Sequence, residues 1–450
     1  MSGFLDVPGP RWFTIPAHRP FLEDLAAGIW RALGPLGPEA LAEAVVLLPT
    51  RRSARDLAEA FLKVAGARAM ILPQVRALGD LEEGEPPFEA GDLALDLPPA
   101  ISPLRRRFEL AGLVAEHQSL LERRLDAGSA LELADALAAF LDACQIEERE
   151  DPAAIEALVE GELARHWQLS AAFLKIATES WPRRLGALGM MDVAARRVAL
   201  MRRLADRWRD APPAEVIIAA GSTGSAPSGA DLLSAIAAAP RGAVVLPGLD
   251  VDLAEDAWRE VGDSHPQGTM KRLLARAGLD RGGVRPWDPA VTLEPAGRWR
   301  RRLINDALRP PDSTADWLTQ IDRLREEGEV GGADPIALGL DGLTVVTARA
   351  DEEAATIAAL LLREVLETPG KTAALITPDD ALARRVSARL TRWAITADSS
   401  SGQPLAAAPA AVLVRLLAQA PADSSFLRKP TRASRSSRIS SSPMALRSQP

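Results

Sequence analysis

The chain of 450 residues contains one cysteine (Cys144), no tyrosine and only five lysines. A single cysteine excludes an intrachain disulfide framework, a four-cysteine zinc site and an iron–sulfur cluster held by this chain alone. No run approaches the roughly 18–20 consecutive apolar residues of a membrane span, and nothing near Met1 is ordered like a signal peptide. A soluble, cytoplasmic protein with no membrane partner is expected. The lysines stand at positions 63, 175, 271, 371 and 429, and arginine carries the rest of the positive charge, as the proteins of GC-rich genomes do.

So few lysines make each one a test of chemistry. A P-loop, G-x-x-x-x-G-K-[ST], needs its lysine on the β/γ-phosphates. Lys371 alone has glycine before it and a hydroxyl residue after it, but Val365 stands where the first glycine belongs. GKT (370–372) also leads into a strand, whereas a P-loop opens a helix. A nuclease of the [DE]-x-K type needs an acid two residues before a lysine to bind metal and orient the attacking water. Those positions hold Phe61, Phe173, Thr269, Pro369 and Leu427. Glu162 and His166 lie at i, i+4 with no third ligand at a matching spacing. His18, His117 and His265 complete the histidines, and no G-x-S-x-G elbow is present. No catalytic residue and no metal site is assigned.

Apolar residues make up 47% and charged residues 25%, ordinary globular usage, and the length suits roughly two to four domains. The net charge of −8 does not advertise nucleic-acid binding, but it is uneven. From Ser424 onward there is no acid, and Arg428, Lys429, Arg432, Arg435, Arg438 and Arg447 are basic, so residues 1–423 carry −14. The Ser/Arg-rich end has no helical or strand period and is expected to be disordered. It is a basic arm for nucleic acid or another anionic surface, or else a tail without selected function, for which an out-of-frame reading is one origin.

Upstream, strand–loop–helix units recur. RWFTIPAHRPFLEDLAAGIWRAL (11–33) and AVVLLPTRRSARDLAEAFL (44–62) are two of them. The second helix sets Ala54, Leu57, Ala58, Phe61 and Leu62 on one stripe. Residues 80–103 are acidic and Pro-rich, a loop. Residues 104–210 are almost wholly helical, with Leu104, Phe108, Ala111, Leu121 and Leu125 at helical spacing. EVIIAAGSTGSAPSGADLLSAIA (215–237) and GAVVLPGLD (242–250) return to buried strands, 262–300 is irregular, and units at 343–366 and 371–390 follow. Strands alternating with helices predict parallel sheets and an α/β class.

Ligands of parallel sheets bind at the carboxyl ends of the strands, so the loops there carry the candidates. Gly221, Ser222, Thr223, Gly224 and Ser225 are phosphate-binding candidates through their backbone N–H groups. The same residues also suit a tight strand-to-helix turn. Thr50, Arg51 and Arg52 put a hydroxyl and two guanidiniums at a helix start, where basic residues oppose the helix dipole. They read as an anion site or as a capped helix with a solvated first turn. Asp250, at the end of its strand, sits where a Mg²⁺-binding carboxylate would.

The order of these segments, IPAHRPFLEDLAAGI, LLPTRRSARDLAEAFL, VIIAAGSTGSAPSGADLLSAIA, GAVVLPGLD and SHPQGTMKRLLARAGL, with LTVVTARADEEAATIAALLLREVL and KTAALITPDDALARRV after them, resembles the alphaproteobacterial-type AddB family. These are the B subunits of AddAB helicase–nucleases in double-strand break repair, related to the exonuclease V gamma subunit RecC. The likeness covers nearly all of residues 11–420. It implies a RecA-like, superfamily-1 helicase-like parallel sheet domain (1–100 and 211–300) with a helical insertion (101–210) and a linker (301–342). An incomplete second RecA-like domain (343–422) and the basic tail (423–450) follow.

The resemblance puts the 11–33 unit at the P-loop position, where Ala17-His18-Arg19-Pro20 lacks the glycines and the lysine. It makes Thr50, Arg51 and Arg52 DNA-backbone candidates. It implies an AddA-type helicase–nuclease partner in a heterodimer, with ATP and Mg in that partner, DNA as the shared ligand and no cofactor in this chain. The four-cysteine iron–sulfur site of some members cannot form here. The family's nuclease domain lies downstream, so the chain reads as the N-terminal half. The function expected is a helicase-like repair subunit acting in homologous recombination, non-catalytic alone. A phosphate- or nucleotide-binding enzyme using the GSTGS loop and a protein-interaction scaffold are the alternatives.

Overall fold

The structure is a computed structural model and describes residues 4–66, 70–78, 96–117, 126–149, 175–288, 295–313, 317–329, 334–400, 402 and 405–419. The readings made on Leu121, Leu125, Glu162, His166, most of the 80–103 loop and the Ser/Arg tail lie outside the described residues. The chain divides into two units between Leu343 and Thr344.

The first unit opens with β1 (Trp12–Ile15), α1 (Phe21–Leu33), the short α2 (Pro38–Ala42), β2 (Val45–Leu48), α3 (Arg51–Ala65) and β3 (Gln74–Ala77). A helical insertion comes next: α4 (Pro103–Glu116), α5 (Ala127–Ile146), a π-helical turn at Ile176–Ser180 running into α6 (Trp181–Leu188), and α7 (Val193–Asp210). The sheet resumes with β4 (Ile217–Ala220), α8 (Pro227–Ala238), β5 (Gly242–Pro247), α9 (Glu255–Glu260), α10 (Gly268–Arg276) and β6 (Arg285–Pro286). Three helices complete the unit, α11 (Pro295–Ala307), α12 (Trp317–Glu329) and α13 (Pro335–Leu340). The stretch read as a linker, 301–342, is therefore largely helical. The stretch read as irregular, 262–300, holds α10, β6 and the start of α11.

All six strands form one parallel sheet in the order β3-β2-β4-β5-β1-β6. The fold is α/β and consistent with a RecA-like domain. The central strands are buried on both faces, as a parallel sheet covered by helices requires, so their sequences run apolar without alternation. The period of two survives in what each residue packs against. Trp12, Val45, Leu47, Ile217, Ala219, Val244 and Leu246 share one apolar cluster with α7, α8, α9 and α10. Phe13, Ile15, Val46, Leu48, Ile218, Ala220 and Val245 share the other with α1 and α3. On α3 the stripe is shifted from the expected one: Leu57, Ala60, Phe61 and Ala65 are buried, whereas Leu62 is exposed.

The insertion has its own core, in which Ile101, Leu110, Leu113, Val114, Leu137, Ile176 and Trp181 meet. Leu104 and Phe108, expected on the packed stripe, are exposed. The face of α4 that packs carries Leu110, Val114 and the buried Arg106 instead.

The second unit contains α14 (Asp351–Leu366), α15 (Asp380–Thr391) and α16 (Pro409–Gln419). Its small core joins Ala355, Ala359, Val386 and Leu390, with Trp393 and Ile395 against them. The segments 343–347 and 373–377, expected as strands, have no sheet partner among the described residues. An apolar composition alone does not make a strand. The backbone must find a ladder, and these two segments do not pair with one another. Val345 and Ile376 are consequently 84% and 94% exposed.

Candidate functional site at the carboxyl edge of the sheet

The chain leaves β1 for α1 on one face and leaves β5 for α9 and α10 on the other. Adjacent strands whose connections depart to opposite faces open a crevice beyond their carboxyl ends, where open α/β sheets bind ligands. A cleft of about 1210 Å³ lies there, lined by Thr14 and Pro16–His18 after β1 and by Gly248–Leu253 after β5. Its far wall is α10, Asp280–Gly282 and α11. Gly248 is required at this edge: its φ is +65°, and a Cβ would stand 2.9 Å from that of Ala17.

Many of the polar groups in and beside the cleft have partners within the protein. Arg19, next to the β1 loop, donates to both carboxylate oxygens of Asp24 at 2.7 Å. Asp250 is a loop brace: its Oδ1 accepts from the backbone N–H of Asp252 and Leu253 and from Asn305 Nδ2, each at 2.9 Å. Gln267 clamps the same loop, donating to the Gly248 carbonyl and accepting from the Asp250 N–H, both at 3.0 Å. Arg301 pairs with Asp252 at 2.6 Å. Arg281 donates to the carbonyls of Asp250 and Leu253 and pairs with Glu255. Lys271 donates to the carbonyls of Arg259 and Val261. Burial first, then the guanidiniums of Arg301 and Arg19, hold His18 below its ordinary pKa, which favours the neutral imidazole.

A phosphate chain needs free backbone N–H groups and an uncommitted cation. The Ala17-His18-Arg19-Pro20 loop offers neither a glycine nor a lysine, and its arginine is spent on Asp24. These residues do not fit ATP bound in the P-loop manner. Among the described residues, no group of three or more His, Cys, Asp or Glu is placed to hold a metal ion.

The two loops singled out in the sequence lie together on the same edge of the sheet, since they follow the neighbouring strands β2 and β4. A Cβ on Gly221 would stand 3.3 Å from Pro49. Neither loop lines the cleft. Thr50 is the N-cap of α3: its hydroxyl accepts from the Ser53 N–H at 3.1 Å, and Ser53 Oγ accepts from the Thr50 N–H at 3.2 Å. Arg51 and Arg52 follow in the first turn, Arg51 exposed and Arg52 half-buried.

In the second loop Ser222 Oγ accepts from the Gly224 N–H at 3.3 Å, and Ser225 is exposed. Gly224 has φ +60°, and a Cβ there would meet Leu273 at 2.8 Å. Both glycines thus have a packing reason. α8 begins only at Pro227, with Ala226 as its N-cap and no side-chain cap, so the five loop residues precede the helix.

The residues that organise this edge, Gln267, Arg301 and Asn305, were not singled out in the sequence. Gln267 and Asn305 each act from more than a dozen residues away, beyond any local spacing. Among the described residues, no helix is long and apolar enough to cross a membrane. No family model matches the chain, and no curated protein matches it.

Proposed function

We propose that the chain is the helicase-like subunit of an AddAB-type helicase–nuclease in double-strand break repair, contacting DNA and an AddA-type partner without turning over ATP itself. The observation that carries this reading is the β1/β5 crevice. The fold offers a nucleotide position there, and its loop has neither a phosphate cradle nor a free cation. ATP hydrolysis then falls to the partner. Thr50, Arg51 and Arg52, after β2 on the same edge of the sheet and one strand (β4) removed from the crevice, are the DNA-backbone candidates. Guanidiniums there would add a salt-dependent, sequence-independent grip on phosphates. The scaffold reading gains one supporting observation, the apolar residues that the second unit leaves exposed, among them Val345 and Ile376.

The test uses the full chain, alone and with an AddA-type subunit. Alone, it should neither bind nor hydrolyse Mg·ATP at millimolar concentration. Together, the two should form a stoichiometric heterodimer on duplex ends. Replacing Arg51 and Arg52 by alanine should weaken DNA binding and lower its salt slope by about two. ATP turnover by the chain alone, abolished by Asp250→Ala, would overturn the reading, as would a heterodimer that binds DNA equally well without the two arginines.

A further inference from the structure

We propose that α11–α13 are a lid over the β1/β5 crevice, held shut by polar pegs and not by a shared apolar core. The inference does not depend on the DNA-repair reading. Of the apolar clusters formed by the described residues, none includes a residue from 295–343. The buried residues at the end of α11 and just beyond it are Asn305, Asp306, Arg309 and Pro310, three of the four polar.

The pegs to the rest of the unit can be named. Arg301 Nε lies 2.6 Å from Asp252 Oδ2, and Asn305 Nδ2 donates to Asp250 Oδ1 at 2.9 Å. Arg309 pairs with Asp256 at 3.1 Å. His265 Nδ1 accepts from the Gln267 N–H, which leaves Nε2 to donate to the Leu308 carbonyl at 2.7 Å. Within itself the lid is coherent. α11 packs on α13, Arg300 donates to the Gly339 carbonyl at 2.9 Å, and Arg302 reaches Glu327 on α12 at 3.6 Å. Three helices bound to each other and pegged to the sheet domain can move as one body.

The side of the lid that faces the cleft supports the same motion. Ile304 and Leu308 line the cleft yet remain 49% and 45% exposed. They touch the cleft without being packed into it, so little apolar contact opposes opening. Partly exposed ion pairs contribute little individually and are screened by salt. Opening would uncover Asp250, Asp252 and the His18 loop together, and so would control access to the crevice that the strand order creates.

Hydrogen exchange on the full chain tests the proposal. In the double variant Arg301→Ala, Asn305→Ala, amides within 297–340 should exchange about tenfold faster, while those of 242–247 keep their protection. Raising salt to about 1 M, where the screening length is roughly 3 Å, should loosen the same span in the unmodified protein. The charge swap Asp252→Arg, Arg301→Asp should restore most of the protection lost in Arg301→Asp alone. Unchanged exchange in 297–340 in both the variant and high salt would overturn the lid. So would loosening that spreads equally to the strands, or a charge swap that restores nothing. If the double variant does not fold, the salt series alone decides between the same outcomes.

Discussion

Replacing Asp192 by alanine should loosen the helical insertion before anything else in the molecule. Asp192 is 1% exposed and is the meeting point of three other helices. Trp181 Nε1 of α6 donates to its Oδ2 at 2.7 Å, and Gln145 Nε2 of α5 donates to the same oxygen at 2.8 Å. Arg106 of α4, itself 7% exposed, lies against its Oδ1 at 2.8 Å in an ion pair that is not aligned as a hydrogen bond.

Alanine would leave a buried indole N–H, a half-buried amide and part of a buried guanidinium without an acceptor. Breaking a buried ion pair from one side costs about 3–5 kcal/mol, and each orphaned donor about 1–3. Asp142, which still holds Arg106 Nη1 at 2.8 Å, offsets part of this, so a loss of about 4 kcal/mol is expected. That is a large share of the roughly 5–15 kcal/mol of a typical domain. Urea titration should measure the loss, and hydrogen exchange should place it in 103–116, 127–146 and 181–188. Asp192→Asn keeps one acceptor oxygen but turns an amide toward Arg106, and should fall between the two. A cost below about 1 kcal/mol for Asp192→Ala would refute the assignment of this carboxylate as the hub. Loosening that begins in the strands would refute it equally.

Two further outcomes follow from the same geometry. Gly224→Ala forces a side chain into φ +60° and against Leu273, so it should cost about 1–3 kcal/mol in chemical denaturation with no ligand present, and a neutral result would show that the loop is not packed as described. Asp231 is held below the ordinary aspartate range, first by its hydrogen bond from Arg276, then against burial by the charges of Arg276, Arg202 and Arg209. A depressed folded pKa gives stability that is present above the unfolded value of about 3.9 and is lost as pH falls through the lower folded value. The stability gap between the unmodified protein and Asp231→Asn should therefore be open at neutral pH and close on the acid side, and a gap of constant size from neutrality through the acid range would contradict it.

What was legible in the sequence was local and periodic. VVLL, IIAA and GAVVLP announce fully buried strands, and the strand–loop–helix alternation gives the parallel sheet. β3 (QVRA) and β6 (RP) are short and partly polar, and they pair only because a neighbouring strand presents its edge. The failure at 343–347 and 373–377 has the converse cause, since those residues have strand composition without a ladder. Helix faces were misassigned where charge was decisive. Leu104 and Phe108 fit a packed stripe by spacing, yet α4 is rotated so that Arg106 reaches the buried Asp192. A spacing rule cannot see a buried arginine whose partner is 86 residues away. The candidate loops were found because they follow strands, whereas the clamp made by Gln267 and Asn305 exists only in three dimensions.

α7 is an 18-residue rod of about 27 Å at 1.5 Å per residue, and its two ends belong to different cores. Met201, Leu204, Ala205 and Trp208 are built into the sheet's apolar cluster, while Asp192, at the other end, is built into the insertion. Midway, Arg202 is fastened to Glu148 at the end of α5 and to Asp231 on α8. A rod clamped at both ends and braced in the middle transmits torque. A load applied to α4 or α5 would reach β2 and β4 as a twist of the sheet, whose far edge carries the loops at Thr50 and Gly221.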